Sequence, residues 1–225
     1  MSEEREARPP TLLFGGTFDP PHRQHVAMAT AAADALGAPT ILVVPAAINP
    51  QRQSARPPAS GRDRLAMAAI AFRHELRAEI LDIEIARGGP SYTIDTIESL
   101  TARQPLRLLI GSDQALNLPT WRRWRDVVAL APPAIVVRPP ETAAGLATTL
   151  GERMGERTEL CRAWILPVPP VELSATHIRD QIRNQIRSQL PSQTRSERNE
   201  AGNPGEIDLD AEVLKYIRAH RLYVS

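Results

Sequence analysis

The sequence predicts a doubly wound α/β fold, a parallel β-sheet with helices on both faces. Two observations carry that expectation. Short apolar runs are continuous rather than alternating, as in strands covered on both sides, and longer stretches with helical periodicity lie between them. Strand and helix in repeated alternation give a Rossmann-like sheet of parallel strands. The 225 residues exceed a common domain length of ~100–150, but α/β folds run to ~200–250 residues as one unit, so a single domain is expected.

The elements follow in order. Residues 1–10 are polar, with Glu3, Glu4, Arg5, Glu6 and Arg8, and are expected to form a disordered tail without the apolar stretch of a secretory signal. Strands are expected at 11–14, 41–45, 80–85, 107–110, 134–137 and 164–168, where the chain is apolar. Helices are expected at 25–36, 61–74, 92–103 and 177–189, the last with Ile178, Ile182 and Ile186 on one stripe. Residues 51–61, with Pro57 and Pro58, read as a loop. Segment 188–206 has too few apolar residues to offset ordering and is expected to be a mobile insertion in the single domain 11–225. After it, Leu209, Val213, Tyr216, Ile217 and His220 recur at helical spacing, so one more helix must dock on the sheet.

Composition narrows the function. Hydrophobic residues at 42% and no run near the ~20 apolar residues of a membrane helix predict a soluble, cytoplasmic protein without a membrane partner. Cys161 is the single cysteine, which excludes an intrachain disulfide framework and a thiolate-cluster zinc site. With 27 Lys+Arg against 26 Asp+Glu the chain lacks the basic excess of a nucleic-acid binder. Lys215 is the sole lysine, which argues against Schiff-base chemistry. Oligomeric state stays open, a homo-oligomer included.

The first strand runs into Gly15-Gly16-Thr17-Phe18-Asp19-Pro20-Pro21-His22-Arg23-Gln24-His25 and then directly into a helix. Glycines between strand and helix let backbone amides approach an anion at a helix N-terminus, which suggests phosphate. The stretch is neither a Walker loop nor a dinucleotide fingerprint. His22 and His25, at i and i+3, share a face of the first helical turn and would meet the phosphates. A tight turn with two packed histidines is the plainer reading; a metal site would need further ligands, with Asp19 the nearest. Downstream, Ser174 is placed to cap a helix and leave first-turn amides, Thr176 and Arg179 for phosphate oxygens. A capped amphipathic helix with a solvated arginine is the alternative there.

Residues 16–25 resemble the nucleotidylyltransferase signature Gly-x-Phe-Asp-Pro-x-His-x-Gly-His, with Gln24 where glycine is usual, and Leu173-Ser174-Ala175-Thr176-His177-Ile178-Arg179 is similar to that superfamily's second motif. Residues 84–96, containing Ser91-Tyr92-Thr93, together with Gly111-Ser112-Asp113 and Trp121-Arg122-Arg123-Trp124, look like bacterial nicotinate mononucleotide adenylyltransferases. The resemblance implies adenylyl transfer from ATP to nicotinate mononucleotide, with His22, His25 and Arg179 catalytic. It implies ATP contacts by Gly15, Gly16, Thr17, Phe18, Gly111, Asp113, Arg138, Ser174 and Thr176. For the mononucleotide it implies Arg52, standing where the family has a lysine, Ser91, the Tyr92 and Thr93 amides facing the nicotinate carboxylate, and Trp121 stacking on the ring. Mg²⁺ is expected to ride on the ATP phosphates, with no resident metal site. A phosphopantetheine adenylyltransferase and a catalytically silent nucleotide-binding regulator are the alternatives.

Overall fold

The computed structural model describes residues 8–51, 58–169, 178–182 and 207–223. Arg52, Ser174, Thr176 and segment 188–206 lie outside the described residues. Among the described residues one sheet holds five strands: β1 (Thr11–Gly16), β2 (Thr40–Pro45), β3 (Ala78–Ile80), β4 (Leu106–Gly111) and β5 (Pro133–Val136). All pairings are parallel and the spatial order is β3-β2-β1-β4-β5. Thr11 pairs with Thr40 on one side and Leu106 on the other, which places β1 at the centre.

Period-two alternation along the strands divides the core between the two faces. Leu13, Leu42, Val44, Leu108, Ile110 and Ile135 point to one face. It is covered by α4 (Thr93–Ser99), α5 (Ser112–Asn117), α6 (Trp124–Leu130), α7 (Ala143–Met154) and α8 (Thr158–Ala163), through residues such as Ile94, Ile97, Val127, Leu146 and Leu150. Leu12, Phe14, Ile41, Val43, Leu109 and Val136 point to the other face and meet Met28, Ala29, Ala32 and Ala33 of α1 (Arg23–Leu36). Burying a strand residue on either face explains why the apolar runs are continuous in sequence.

A third apolar cluster joins α2 (Gly61–Ala71), the helical residues 178–182 and α9 (Ala211–Ala219). Met67, Ile178, Ile182, Ile207, Leu209, Val213 and Ile217 are buried against one another there. The caps fit the boundaries. Ser60 accepts from the Asp63 amide at the start of α2, Thr142 from Gly145 at α7, and Asp210 from Glu212 at α9. Gly37, at φ 60°, closes α1 in a left-handed conformation that glycine adopts without strain.

Two expected strands differ. Only Ala78–Ile80 pairs in the third; the chain turns at Asp82 into α3 (Ile83–Arg87), because an apolar run this short fits a strand end or a helix face equally well. Residues 164–168 contribute one bridge, Ile165 to Ile135, beside β5. Pro167 and Pro169 lack the N–H donors a longer ladder requires. The helix expected over 92–103 is shorter too, α4 followed by a 3₁₀ turn at Thr101–Arg103. No helix of the described residues is long and apolar enough to cross a membrane.

Candidate active site

The chain leaves β1 toward β2 on one side and returns to β4 on the other, so the strand order reverses beside β1. In open parallel sheets that reversal leaves a crevice at the carboxyl ends of the strands. A cavity of about 550 Å³ opens there. Its lining takes Gly15, Gly16, Thr17, Phe18, His22 and His25 from the first connection, Gly111 and Asp113 from the end of β4, Arg138 from beyond β5, and Arg179. Ser91, Tyr92, Thr93 and Trp121 line the same cavity, so the two groups of candidates meet in one space.

The β1–α1 connection is shaped by close packing. Phe18, buried at a positive φ of 48°, lies under Gly16, where a Cβ would stand 3.2 Å from its ring. Its ring meets His25 edge-on at 5.2 Å. His22 begins α1 in an extended conformation, and its backbone N–H donates to His25 Nδ1 at 3.1 Å. That bond makes Nδ1 the acceptor and leaves the proton of the neutral ring on Nε2. The two imidazoles lie 3.7 Å apart, centre to centre.

Burial, then the nearby Arg138 guanidinium, lowers the His22 pKa to about 4. His25 is held well below the ordinary histidine value by burial, by His22 and by Arg138. At pH 7 both imidazoles are therefore neutral, and the positive charge of the cavity comes from arginines.

Arg138 is held from its backbone: its N–H donates to the Ser112 hydroxyl at 3.0 Å, and Ser112 is buried at the end of β4. Its side chain reaches Asp113 at 3.4 Å across Gly111. A Cβ on Gly111 would lie 2.6 Å from Asp113 Oδ1 and 2.8 Å from Arg138 Nε, so glycine is what lets both side chains lie there. Arg179 donates through Nη1 to the Asp19 carbonyl at 2.6 Å, with the Asp19 carboxylate 3.7 Å away. Among the described residues, His22 Nδ1, Arg138 Nε and Trp121 Nε1 are buried without hydrogen-bond partners. All three residues line the cavity.

On the opposite wall, the Ser91 N–H donates to the Ile48 carbonyl and the Ser91 hydroxyl accepts from the Ala47 amide, both at close range, 2.8 and 2.9 Å. Ser91 thus ties the loop after β2 to the start of α4. Tyr92 is the N-cap of α4, and Arg122 lies 4.8 Å over its ring. Trp121 packs half-buried against the core edge. Gln51 reaches the Thr120 hydroxyl at 3.1 Å and closes the rim.

Sequence reasoning passed over Arg64, Glu84 and the structural part played by Asp19. Arg64 is fully buried and donates to the carbonyls of Thr17, Ala46, Ala47 and Ala59, so one guanidinium braces the loops after β1 and β2. Its signal is an arginine on the same stripe of α2 as buried Met67 and Ala68. Glu84 is buried at the cavity wall and accepts from the Thr96 hydroxyl. The signal for Asp19 is its place inside the signature, between Phe18 and the prolines.

Residues 13–186 match the cytidylyltransferase-like family model, which sets this chain among the nucleotidyltransferases. A nicotinate-nucleotide adenylyltransferase of Bordetella petrii is 35% identical over 94% of the chain and 97% of its own length. One from Chromobacterium violaceum is 33% identical, again over 94% and 97%. The chain belongs to the nicotinate-nucleotide adenylyltransferase family. Its fold is also that of Plasmodium falciparum nicotinic acid mononucleotide adenylyltransferase complexed with NaAD, at a TM-score of 0.66 and 14% identity over 95% of this chain and 96% of that one.

Proposed function

We propose that the cavity binds ATP and nicotinate mononucleotide side by side and joins them into nicotinate adenine dinucleotide with release of pyrophosphate. The observation that carries this reading is the single cavity, with arginines and histidines on one wall and Tyr92, Thr93 and Trp121 on the other. An oxygen of the mononucleotide phosphate forms a bond to the α-phosphorus of ATP, and the bond from that phosphorus to the bridging oxygen breaks. The nucleophile is already ionised, so no general base is needed and catalysis consists of alignment and charge neutralisation.

Gly15, Gly16 and Thr17 bring backbone close to the triphosphate, while Arg138 and Arg179 supply positive charge. His22 and His25 enter as neutral donors; the arriving anion offsets their desolvation and draws their pKa values upward. Gly111 and Asp113 border the nucleoside, and Ser174 and Thr176 complete the ATP set. Arg52 meets the mononucleotide phosphate, Tyr92 and Thr93 amides receive the nicotinate carboxylate, Ser91 holds their loop, and Trp121 stacks on the ring.

The acidic groups at the cavity are already engaged: Asp19 accepts from Ala59 and Tyr223, Glu84 from Thr96, and Asp113 faces Arg138. This donor set fits Mg²⁺ carried on ATP phosphates with few protein ligands. When bound, the ion neutralises phosphate charge.

Pyrophosphate release from ATP tests the reading. Release is expected with nicotinate mononucleotide and not with phosphopantetheine. A chain that binds ATP but releases pyrophosphate with neither is a silent nucleotide binder, and the proposal fails.

A further inference from the structure

Tyr223 lies beyond α9, far in sequence from the β1–α1 connection, yet its hydroxyl donates to Asp19 Oδ1 at 2.7 Å. The same oxygen accepts the Ala59 amide at 3.0 Å, just before α2. Asp19 is buried, and its backbone carbonyl and carboxylate both face Arg179. One carboxylate therefore joins the β1–α1 connection, the start of α2, the turn that follows α9 and a cavity-lining arginine. The apolar cluster beneath it links the same pieces, since Ile178 and Ile182 flank Arg179 while Val213 and Ile217 belong to α9. Tyr223 itself holds a positive φ of 65°, a conformation costly for a side chain of this size, and from it the phenol reaches Asp19.

We infer that Tyr223 is a positioning residue for the reaction: its bond to Asp19 fixes the turn on which Arg179 rests and so sets the place of that guanidinium in the cavity. The carboxylate has several donors and one orientation that satisfies them together. Without the phenol, Asp19 Oδ1 loses one of its donors, and the carboxylate turns about its remaining contacts toward Arg179, shortening the 3.7 Å contact and drawing the guanidinium off the phosphates. A shift of this kind alters transition-state alignment while leaving the core intact. The inference rests on the assignment of Arg179 to the triphosphate.

The experiment is a double-mutant cycle on the full chain, Tyr223→Phe and Arg179→Met, alone and together, with thermal melts of each. Tyr223→Phe keeps the ring and removes only the donor. It is expected to lower kcat/KM for ATP by about tenfold, with the KM for nicotinate mononucleotide and the melting temperature little changed. In the Arg179→Met background it should add less than about twofold, because the group it positions is gone. Wild-type kcat/KM in Tyr223→Phe, with Arg179→Met impaired, overturns the inference and leaves the Arg179 assignment standing. An equal loss in both backgrounds overturns it as well, since Tyr223 would then act elsewhere. Wild-type activity in Arg179→Met removes that arginine from the mechanism and this inference with it.

Discussion

His22 carries two demands that conflict. It is buried beside Arg138, which favours the neutral ring, and it lines the cavity that the proposed reaction fills with phosphate charge. With a folded pKa of about 4 against 6.5 unfolded, the unfolded chain takes up the proton first as pH falls. Above pH 6.5 His22 costs nothing; between 6.5 and 4 the fold loses roughly 3 kcal/mol through this group. His22→Asn removes the titration, so its unfolding free energy should fall less steeply over that interval than that of the wild type. Denaturant titrations at several pH values measure it, and parallel curves would refute the assignment. His25, with Nδ1 occupied by the His22 amide, offers a single preorganised donor. His25→Ala is expected to lower kcat by ~10²–10³ with mononucleotide binding little changed, as for one oxyanion-type donor. Wild-type kcat in that variant would take the ring out of the mechanism.

Connections, rather than the regular elements, carry the chemistry, and this divides what the sequence disclosed from what it concealed. Strands β1, β2, β4 and β5 were legible because burial on both faces demands continuous apolar runs, and α1 was legible from its periodicity. The helices α5 and α6 were not, because each is a turn or two held by packing rather than by its own pattern. The glycines and histidines of the β1–α1 connection announced themselves through their motif, whereas the stripe on α2 that marks Arg64 does not reveal the backbone carbonyls it donates to. Gly111 shows how a connection is specified. Its φ of −79° is open to any residue, so the need for glycine comes from the Asp113 and Arg138 side chains above it. Gly111→Ala pushes against side-chain atoms able to move, not against backbone. The melting temperature should hold within a few degrees while kcat/KM for ATP falls by about tenfold, through displacement of Arg138. Kinetics and a melt of one variant decide it: unchanged kcat/KM would show that Arg138 has room to spare.

At the scale of the molecule, a sheet whose order reverses at β1 brings two walls of different chemistry to one crevice, and in the proposed function the difference between them sets substrate choice. Under the proposed reading the phosphate wall serves any nucleotide, and discrimination between the two mononucleotides falls to the Tyr92 and Thr93 amides. Amide donors at the start of α4 favour a carboxylate over a neutral carboxamide, whose NH₂ would face another donor. Losing charge-assisted hydrogen bonds and opposing donor to donor costs ~2–4 kcal/mol, or roughly 30- to 1000-fold in kcat/KM between nicotinate and nicotinamide mononucleotides. Trp121 offers both rings the same apolar face, so Trp121→Ala should weaken both substrates alike while the preference for nicotinate survives. Steady-state kinetics with the two mononucleotides, in wild type and variant, separate the contributions. Equal kcat/KM in the wild type would refute the carboxylate site even with adenylyl transfer established, and a preference lost in Trp121→Ala would move the discrimination from the backbone amides to the indole.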